Sequence, residues 1–177
     1  IASHLAERII KGELPPGARL PENELAKELD VSTNSLRESF RLLEKQHLIE
    51  LQPRKGARVC EVTDDQVKDL YEFLFLLLSQ LAERAAIVWQ PGQIEDLMNM
   101  LPQLEQHFMN DDLPGAHQLA FRFVEIATVR FAGNRYLQTD IQDLIPLLKR
   151  FSYMALQEDT SEFDVSLKIF KRLLVNI

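Results

Sequence analysis

The sequence predicts a mainly α-helical protein of two domains: a winged helix-turn-helix head at residues 1–62 and an all-helical bundle at residues 63–177. The first observation is the stretch from Leu20 to Val59. Apolar residues recur there at helical spacing in two segments separated by a short turn, and a hairpin pattern follows. The tip of that hairpin is basic and contains glycine. The second observation is that glycine and proline become sparse beyond Asp65, where helical periods dominate. The head should therefore consist of three helices and a β-hairpin, and the helical domain should contain no strand.

The charge of the chain divides between the two domains. The net charge is −7, yet residues 1–60 carry 10 Lys and Arg against 9 Asp and Glu, whereas residues 61–177 carry 10 against 18. The acidity therefore belongs to the helical domain. A nearly neutral head can still bind DNA if its few cations share one face.

The composition indicates a folded protein of a reducing compartment. Hydrophobic residues make up 46% of the chain, and the single cysteine, Cys60, excludes an internal disulfide. The longest apolar run, Phe73 to Leu78, is too short to span a bilayer, and the amphipathic N-terminus does not resemble a signal peptide. We expect a cytoplasmic protein without membrane contact. Because the chain stops on Asn176-Ile177 within a helical pattern, we also expect a helical domain truncated at its C-terminus.

Three helices are predicted in the head from apolar spacing and from residues that begin or end helices. Gly12 ends the first helix, and Pro21-Glu22 favours the start of the second. Polar side chains at 32–34 can cap the third. The predicted bounds are about 3–11, a start near 21–22, and 32–34 to about 46. The apolar positions expected to face the core are Leu5, Ile9, Leu25, Leu29, Leu36, Phe40 and Leu43. The two strands are predicted at 48–51 and 57–60, with the tip at 53–56.

Cations stand on both elements that a winged helix presents to DNA. We predict that the third helix enters the major groove and that the wing reaches the backbone or the minor groove. The predicted DNA-binding residues are Ser32, Thr33, Asn34, Ser35, Arg37, Arg41, Arg54, Lys55 and Gly56. The alternative is a winged helix that contacts only proteins. Arg37 and Arg41 would then be solvated charges paired to Glu38 or Glu44.

This pattern resembles the GntR family of bacterial transcription regulators. The match covers nearly all of the first 60 residues, and its residues are Gly12, Leu14, Pro16, Gly17, Leu20, Glu24, Leu25, Ala26, Ser32, Arg37, Glu38, Leu42, Leu48, Gly56 and Val59. The chain departs from the family at Thr33, where an arginine is usual, at Ser35, where a proline is usual, and at His47, where a glycine is common. Loss of the arginine removes one phosphate or guanine contact, which is typically worth about 1–3 kcal/mol.

The helical domain resembles the FCD-type effector domain of the FadR subfamily. The matching segments are VTDDQVKDLYEF at 62–73, LAERAA at 81–86 and AGNRYL at 132–137. Helices are predicted near 64–87, 91–109, 112–131, 134–157 and 162–176. The resemblance implies a small-molecule effector, often a carboxylate beside a metal.

The metal ligands that the resemblance implies, an Asp and three His, are not matched. Two registers place either Gln118 and Arg122 or Phe121 and Glu125 at the first Asp and His. The later histidine segment corresponds to 166–170, which holds none. We therefore predict no metal and no cofactor. Two other histidines, His107 and His117, flank a turn that contains Asp111 and Asp112; they are either a small metal site or, as we favour, surface residues at two helix ends.

The effector pocket is predicted from the same resemblance. The family's Arg and Glu on the first helix of this domain fall near Leu74 and Leu78, so a small organic acid or an apolar effector is expected. The predicted pocket residues are Leu74, Leu78, Phe121, Arg122 and Glu125. Of three nearby cations, Arg122, Arg130 and Arg135, only Arg122 is placed to suit a ligand carboxylate.

The run from Phe73 to Leu78 is apolar all round and must be covered on every side. It is interpreted either as a central core helix or as part of an effector pocket or dimer interface.

The resulting hypothesis is a sequence-specific DNA-binding transcriptional regulator, a repressor, that binds operator DNA as a homodimer with two-fold related half-sites. An effector in the helical domain would alter operator affinity. The alternative is a winged-helix interaction or dimerisation module without DNA binding. No catalytic residues are predicted, because the chain shows no Gly-rich phosphate loop, Cys/His metal spacing or nucleophile elbow.

Overall fold

The computed structural model describes residues 1–158, with side chains through residue 155. The helix predicted at 162–176 lies outside this range. The elements are α1 Ala2–Ile10, β1 Arg19–Leu20, α2 Glu22–Glu28, α3 Thr33–Lys45, β2 Ile49–Gln52, β3 Gly56–Val59, α4 Asp64–Val88, α5 Glu95–Met98, α6 Met100–Met109, α7 Leu113–Phe131 and α8 Arg135–Glu158. Two compact units form, one from Ile1–Lys68 and Asp143–Met154, the other from Asp69–Gln142 and the last described residues of α8, 155–158.

The first unit contains a three-stranded antiparallel sheet rather than a hairpin alone. Its strand order is β1-β3-β2, with Arg19 opposite Arg58 and Gln52 opposite Gly56. The sequence prediction of two strands was therefore incomplete, because β1 has only two residues, too few to show an alternating pattern.

The core of the first unit lies between the three helices and the sheet. It is formed by buried side chains from every element, which are Leu5, Ala6, Ile9, Leu20, Leu25, Ala26, Leu36, Phe40, Leu43, Leu48, Ile49, Ala57 and Val59. The apolar positions predicted from the sequence all belong to this core or pack against it. An ion pair between Arg8 and Glu28, 2.8 Å apart, joins α1 to α2 at the surface.

Part of α8 also belongs to the first unit. Leu147 packs against the core of the head, and Lys45 Nζ on α3 lies 2.7 Å from Asp143 Oδ2. These contacts join two segments about a hundred positions apart, so they leave no local signature in the sequence.

The second unit is helical throughout the part that the structure describes. The helix predicted at 91–109 is wrong in one respect, because the chain turns at 91–94 and then forms α5 and α6 in succession. The carboxylate of Glu95 explains the turn, since it accepts hydrogen bonds from the backbone N–H groups of Gly92 at 2.6 Å and Ile94 at 3.1 Å. α5, α6 and α7 pack on one another.

The run from Phe73 to Leu78 is not buried on every side. Phe75 is 50% exposed and Leu76 is 66% exposed, and on α4 only Leu70 and Leu81 are buried. Within the part of the chain that the structure describes, the interpretation as a central core helix is therefore wrong. The pattern predicted that these apolar side chains are buried against other parts of the protein. An apolar run does not specify which element or which second chain buries them.

None of the helices within residues 1–158 combines the length and the apolar character needed to cross a bilayer.

Candidate nucleic-acid interface

The start of α3 is fixed by a side-chain cap. Ser32 precedes the helix in an extended conformation, and its hydroxyl accepts a hydrogen bond from the backbone N–H of Ser35 at 3.0 Å. The two hydroxyl oxygens also lie 2.8 Å apart, within hydrogen-bond distance. This confirms the cap predicted from the polar residues before the helix. Thr33 and Asn34 remain exposed at the same end.

One departure from the family pattern, His47 in place of the common glycine, lies where the chain leaves α3. His47 has φ 56°, in the left-handed region where a glycine meets least strain. Its backbone N–H donates to the carbonyl of Glu44 at 2.9 Å, and that of Leu48 donates to the carbonyl of Leu43 at 3.0 Å. The chain thus leaves the helix and enters β2. The common glycine suits this geometry, and His47 adopts it at some cost in strain.

The wing is a tight turn that carries two exposed cations. The backbone N–H of Lys55 donates to the carbonyl of Gln52 at 3.1 Å, while Arg54 and Gly56 have φ of 63° and 86°. Arg54 and Lys55 form no ion pair with any residue that the structure describes. Their charges are therefore available to an external anion.

A groove of about 760 Å³ runs between α3 and the wing, and we call it the head groove. It is lined by Arg19, Leu20, Pro21, Glu22, Arg37, Phe40, Arg41, Leu51, Gln52, Pro53, Arg54, Lys55, Gly56 and Ala57. Five of these residues are cationic and one is a carboxylate. A concave surface with an excess of one charge concentrates the field and attracts the opposite charge, here an anion.

The two arginines of α3 are held by different partners. Glu22, at the start of α2, forms an ion pair with Arg37 through Nε and accepts a hydrogen bond from Nη2 at 3.3 Å. Arg41 Nη1 lies 2.5 Å from the carboxylate of Glu38, one turn earlier on the same helix. The sequence alternative named Glu38 or Glu44 as partners, so it was right for Arg41 and wrong for Arg37. Glu44 instead accepts a hydrogen bond from the backbone N–H of Leu51 at 3.0 Å.

The predicted DNA-binding residues fall into two groups. Arg37, Arg41, Arg54, Lys55 and Gly56 line the head groove, whereas the residues at 32–35 lie outside its lining, at the N-terminus of α3.

Sequence reasoning missed one cation of the head groove. Arg19 is exposed on β1, and no ion pair with it is found among the described residues. The signal that could have found it is its place directly before the buried Leu20, in a strand too short to recognise.

In the helical domain, the predicted pocket residues lie on α4 and α7. Leu74 and Leu78 are half-buried on α4, and Phe121 and Glu125 are half-buried on α7, whereas Arg122 is exposed. Phe121 and Glu125 are four residues apart and so share one face of the helix.

The other cations named from the sequence are engaged at the surface. Arg130 donates two hydrogen bonds to the carboxylate of Asp96, at 2.6 and 2.9 Å, and this guanidinium lowers the pKa of Asp96 to about 2. Arg135 lies 4.7 Å over the ring centre of Tyr136.

A half-buried arginine of the second unit was not anticipated. Arg84 on α4 is half-buried, and its buried Nε has no hydrogen-bond partner among the residues described. Thr128 on α7 is wholly buried, and its hydroxyl oxygen likewise lacks such a partner. Buried polar atoms are normally hydrogen-bonded, so each of these two atoms is an unmet hydrogen bond among the described residues.

The histidines next to the α6–α7 turn have separate structural roles. His107 Nδ1 lies 2.7 Å from Asp112 Oδ2, and the other oxygen of Asp112 accepts from the backbone N–H of Gly115 at 3.0 Å, which caps α7. These contacts, the Gly115 bond first, lower the pKa of Asp112. His117 packs edge-on against Phe121, with ring centres 5.9 Å apart, and burial lowers its pKa to about 4. The prediction of surface residues was therefore wrong for His117.

The metal implied by the family resemblance does not fit the residues at hand. In one register the ligand position is taken by Arg122, an exposed cation, and in the other by Phe121, whose ring packs on His117. Within residues 1–158, no three His, Cys, Asp or Glu side chains are grouped so as to hold a metal ion. The absence of a metal stays a prediction.

Comparison with known families assigns both parts of the chain. Residues 1–59 match the family described as "Bacterial regulatory proteins, gntR family", and residues 69–176 match the FCD domain. The match to a FadR subfamily is not resolved by these comparisons and stays a prediction.

Two relatives span most of the chain. The gluconate operon transcriptional repressor of Bacillus subtilis (strain 168) is 26% identical, over 99% of this chain and 70% of its own length. The uncharacterized HTH-type transcriptional regulator YdhC of the same organism is 31% identical, over 85% of this chain and 69% of its own length.

Two solved structures share the fold. A structure assigned to the GntR regulators from Rhodococcus sp. RHA1 has a TM-score of 0.66 at 20% identity, and covers 97% of this chain and 80% of its own. E. coli McbR/YncC has a TM-score of 0.62 at 20% identity, and covers 97% of this chain and 84% of its own. At this identity the similarity concerns the fold alone.

Proposed function

The chain belongs to the GntR family of bacterial regulatory proteins, with an FCD domain behind its head, and we propose that the head groove is where it binds operator DNA. The observation that carries this proposal is the charge of the groove, which contains five cationic side chains and one carboxylate. Four of the cations stand on α3 and the wing, the two elements that a winged helix presents to DNA. The protein is a DNA-binding transcriptional regulator, and repression is the activity we propose for it in the cytoplasm.

In the proposed complex, α3 lies in the major groove and the wing contacts the flanking backbone. Arg37 is placed for a base edge, because it lies in the N-terminal half of α3, the part of a recognition helix that contacts base edges. Arg54, Lys55 and Arg19 are placed for phosphates, because they are exposed at the rim of the groove without ion pairs among the described residues. Phosphate contacts position the protein, and base contacts give specificity. The exposed Thr33 and Asn34 reach the DNA from the N-terminus of α3.

A homodimer is proposed as the DNA-binding form. The exposed apolar residues of α4, Phe73, Phe75 and Leu76, support an interface in the helical domain, because contiguous exposed apolar surface marks association sites. Two heads would then read half-sites about 34 Å apart or a multiple of that spacing. Sedimentation should show a dimer that Leu76→Glu converts to monomer, while Met109→Glu, at another exposed apolar side chain, leaves it intact.

We propose that the effector is a small organic acid bound without a metal. Arg84 and Thr128 support this, because each places a buried polar atom without a described partner in the helical unit. An acid bound by Arg84 would stabilise one state of the domain and so alter operator affinity. Sugar acids such as gluconate are the first compounds to test by thermal shift, with and without a chelator. A shift that Arg84→Met abolishes and the chelator leaves unchanged is expected; a shift that needs a metal contradicts the metal-free site.

The DNA proposal is tested by selecting duplexes from a random DNA pool with the full chain. We expect an enriched motif, salt-sensitive binding, and a loss of affinity of about 10- to 100-fold on Arg37→Ala, the size of one base contact. The control is Lys27→Ala, a cation exposed on α2 outside the head groove. If Arg37→Ala binds the selected duplex as the wild type does, the docking of α3 is wrong. If the wild type binds no duplex at all, the head is a protein-contact module.

A further inference from the structure

The geometry points to Glu22 as a positioning residue, which orients the Arg37 guanidinium so that its free end can read a guanine. We propose this role for Glu22, and it rests on the DNA binding proposed above. The ion pair between these two side chains joins two helices, since Glu22 is the first residue of α2 and Arg37 lies on α3.

The contact between the two side chains is a two-point one. Arg37 approaches the carboxylate with its Nε and Nη2 edge, which meets both carboxylate oxygens, the second at 3.3 Å from Nη2. The Glu22 side chain is 30% exposed, whereas that of Arg37 is 63% exposed. The carboxylate is therefore more firmly fixed in position than the guanidinium. The two helices that carry these groups, α2 and α3, pack on one another. The positive end of the α2 dipole also favours a carboxylate at this place.

This contact leaves a defined part of the guanidinium free. The group has five N–H donors in a planar fork. The hydrogen bond to Glu22 uses one hydrogen of Nη2, and Nε faces the other carboxylate oxygen as an ion pair without a hydrogen bond, so both hydrogens on Nη1 and one on Nη2 remain. These point from the end of the side chain, and they match the paired acceptors O6 and N7 of guanine in the major groove.

Arg41 provides the contrast within the same helix. It binds Glu38 through Nη1, one of the two terminal nitrogens, and both side chains are mostly exposed. Its partner lies on α3 itself, so the pair can rearrange at little cost. Arg41 therefore suits a phosphate, and the fixed Arg37 suits a base. With Thr33 in place of the family's usual arginine, base readout by arginine on α3 depends on Arg37.

The charge of Glu22 makes the inference testable. A carboxylate in the head groove repels phosphates, so its loss alone should raise affinity for every DNA sequence. If Glu22 positions Arg37, its loss should instead lower affinity for the selected operator and raise or leave unchanged affinity for other DNA. The two roles therefore predict opposite changes for the operator.

The experiment compares Glu22→Gln with Glu24→Gln in the full chain. Glu24 lies in the same first turn of α2 and is exposed outside the head groove, so it matches the change in charge. The probes are the duplex selected from the random pool and a scrambled duplex of equal length. Glu22→Gln is expected to reduce the ratio of operator to scrambled affinity about 10-fold, and Glu24→Gln to preserve it. In an Arg37→Ala background, Glu22→Gln should reduce the ratio no further.

Several results would overturn the inference. Equal gains for both duplexes on Glu22→Gln would mean that the carboxylate only repels DNA. Equal losses, or a further loss of the ratio in the Arg37→Ala background, would mean that Glu22 supports the fold or another contact. If the wild type binds DNA and Arg37→Ala weakens it while Glu22→Gln does not change the ratio, the DNA proposal stands and this inference fails. If no duplex is bound by the wild type, both fail.

Discussion

Arg150 donates a hydrogen bond from Nη2 to the backbone carbonyl of Cys60 at 2.8 Å, and so joins α8 to the end of the wing strand β3. The arginine is 1% exposed, and its buried Nη1 has no hydrogen-bond partner among the described residues. Leu147, three residues earlier on α8, packs against the core of the head. This part of α8 is therefore a structural component of the DNA-binding unit, beyond the three helices and sheet of a winged helix.

Two substitutions at Arg150 should distinguish how much its packing and its charge each contribute to the free energy of unfolding. Arg150→Ala removes the buried stem and the hydrogen bond, and we expect it to lower the free energy of unfolding by about 3 kcal/mol. Arg150→Met keeps most of the stem and removes a buried charge with an unpartnered nitrogen, so its cost should be below about 1.5 kcal/mol. Urea unfolding followed by circular dichroism measures both. Equal losses would show that the hydrogen bond, rather than packing, holds α8.

What the sequence predicted correctly was local. Gly12 and Ser32 mark a helix end and a helix start, and the apolar spacing of Leu36, Phe40 and Leu43 identified the buried face of α3. Each of these signals lies within a few residues of the structure it predicts. The main elements of the head could therefore be read from the chain alone.

What the sequence missed depends on contacts between distant segments. Arg150 lies 90 positions from Cys60, and Glu22 lies 15 positions from Arg37. Neither contact can therefore be predicted from the periodicity of the sequence. The candidate DNA-binding residues were predicted by type and position, but the partner that fixes Arg37 was not. In the helical domain, the half-buried Arg84 was also missed.

The wing should contribute affinity without specificity. Lys55 is exposed at the tip without an ion pair among the described residues, which suits a phosphate contact. Lys55→Ala should therefore weaken binding of the selected and scrambled duplexes by the same factor, and reduce the slope of log affinity against log salt by about 1. Binding measured from low to moderate salt gives both quantities. A change confined to the selected duplex would place Lys55 on a base instead.

The cap of α3 should stabilise the N-terminal turn that we propose to face DNA. Ser32→Ala removes the acceptor for the backbone N–H of Ser35, at a typical cost of about 1 kcal/mol. Hydrogen exchange at the Ser35 amide should then accelerate about fivefold, because local opening becomes easier by that amount. Ser3→Ala, at an exposed position of α1, is the control and should leave this amide unchanged. Unchanged exchange in Ser32→Ala would show that the cap contributes no local stability.

His117 should make the stability of the protein depend on pH. Burial lowers its pKa from the usual 6.5 to about 4, so between these values the unfolded chain takes up a proton that the folded chain does not. Stability therefore falls as pH falls from 6.5 towards 4, by about 2 kcal/mol once partial exposure of the ring is allowed for. Urea midpoints at pH 7 and pH 4.5 should differ less in His117→Leu than in the wild type, whereas His4→Gln, at an exposed position of α1, should keep the wild-type difference. A difference that survives in His117→Leu would assign this pH dependence to other groups.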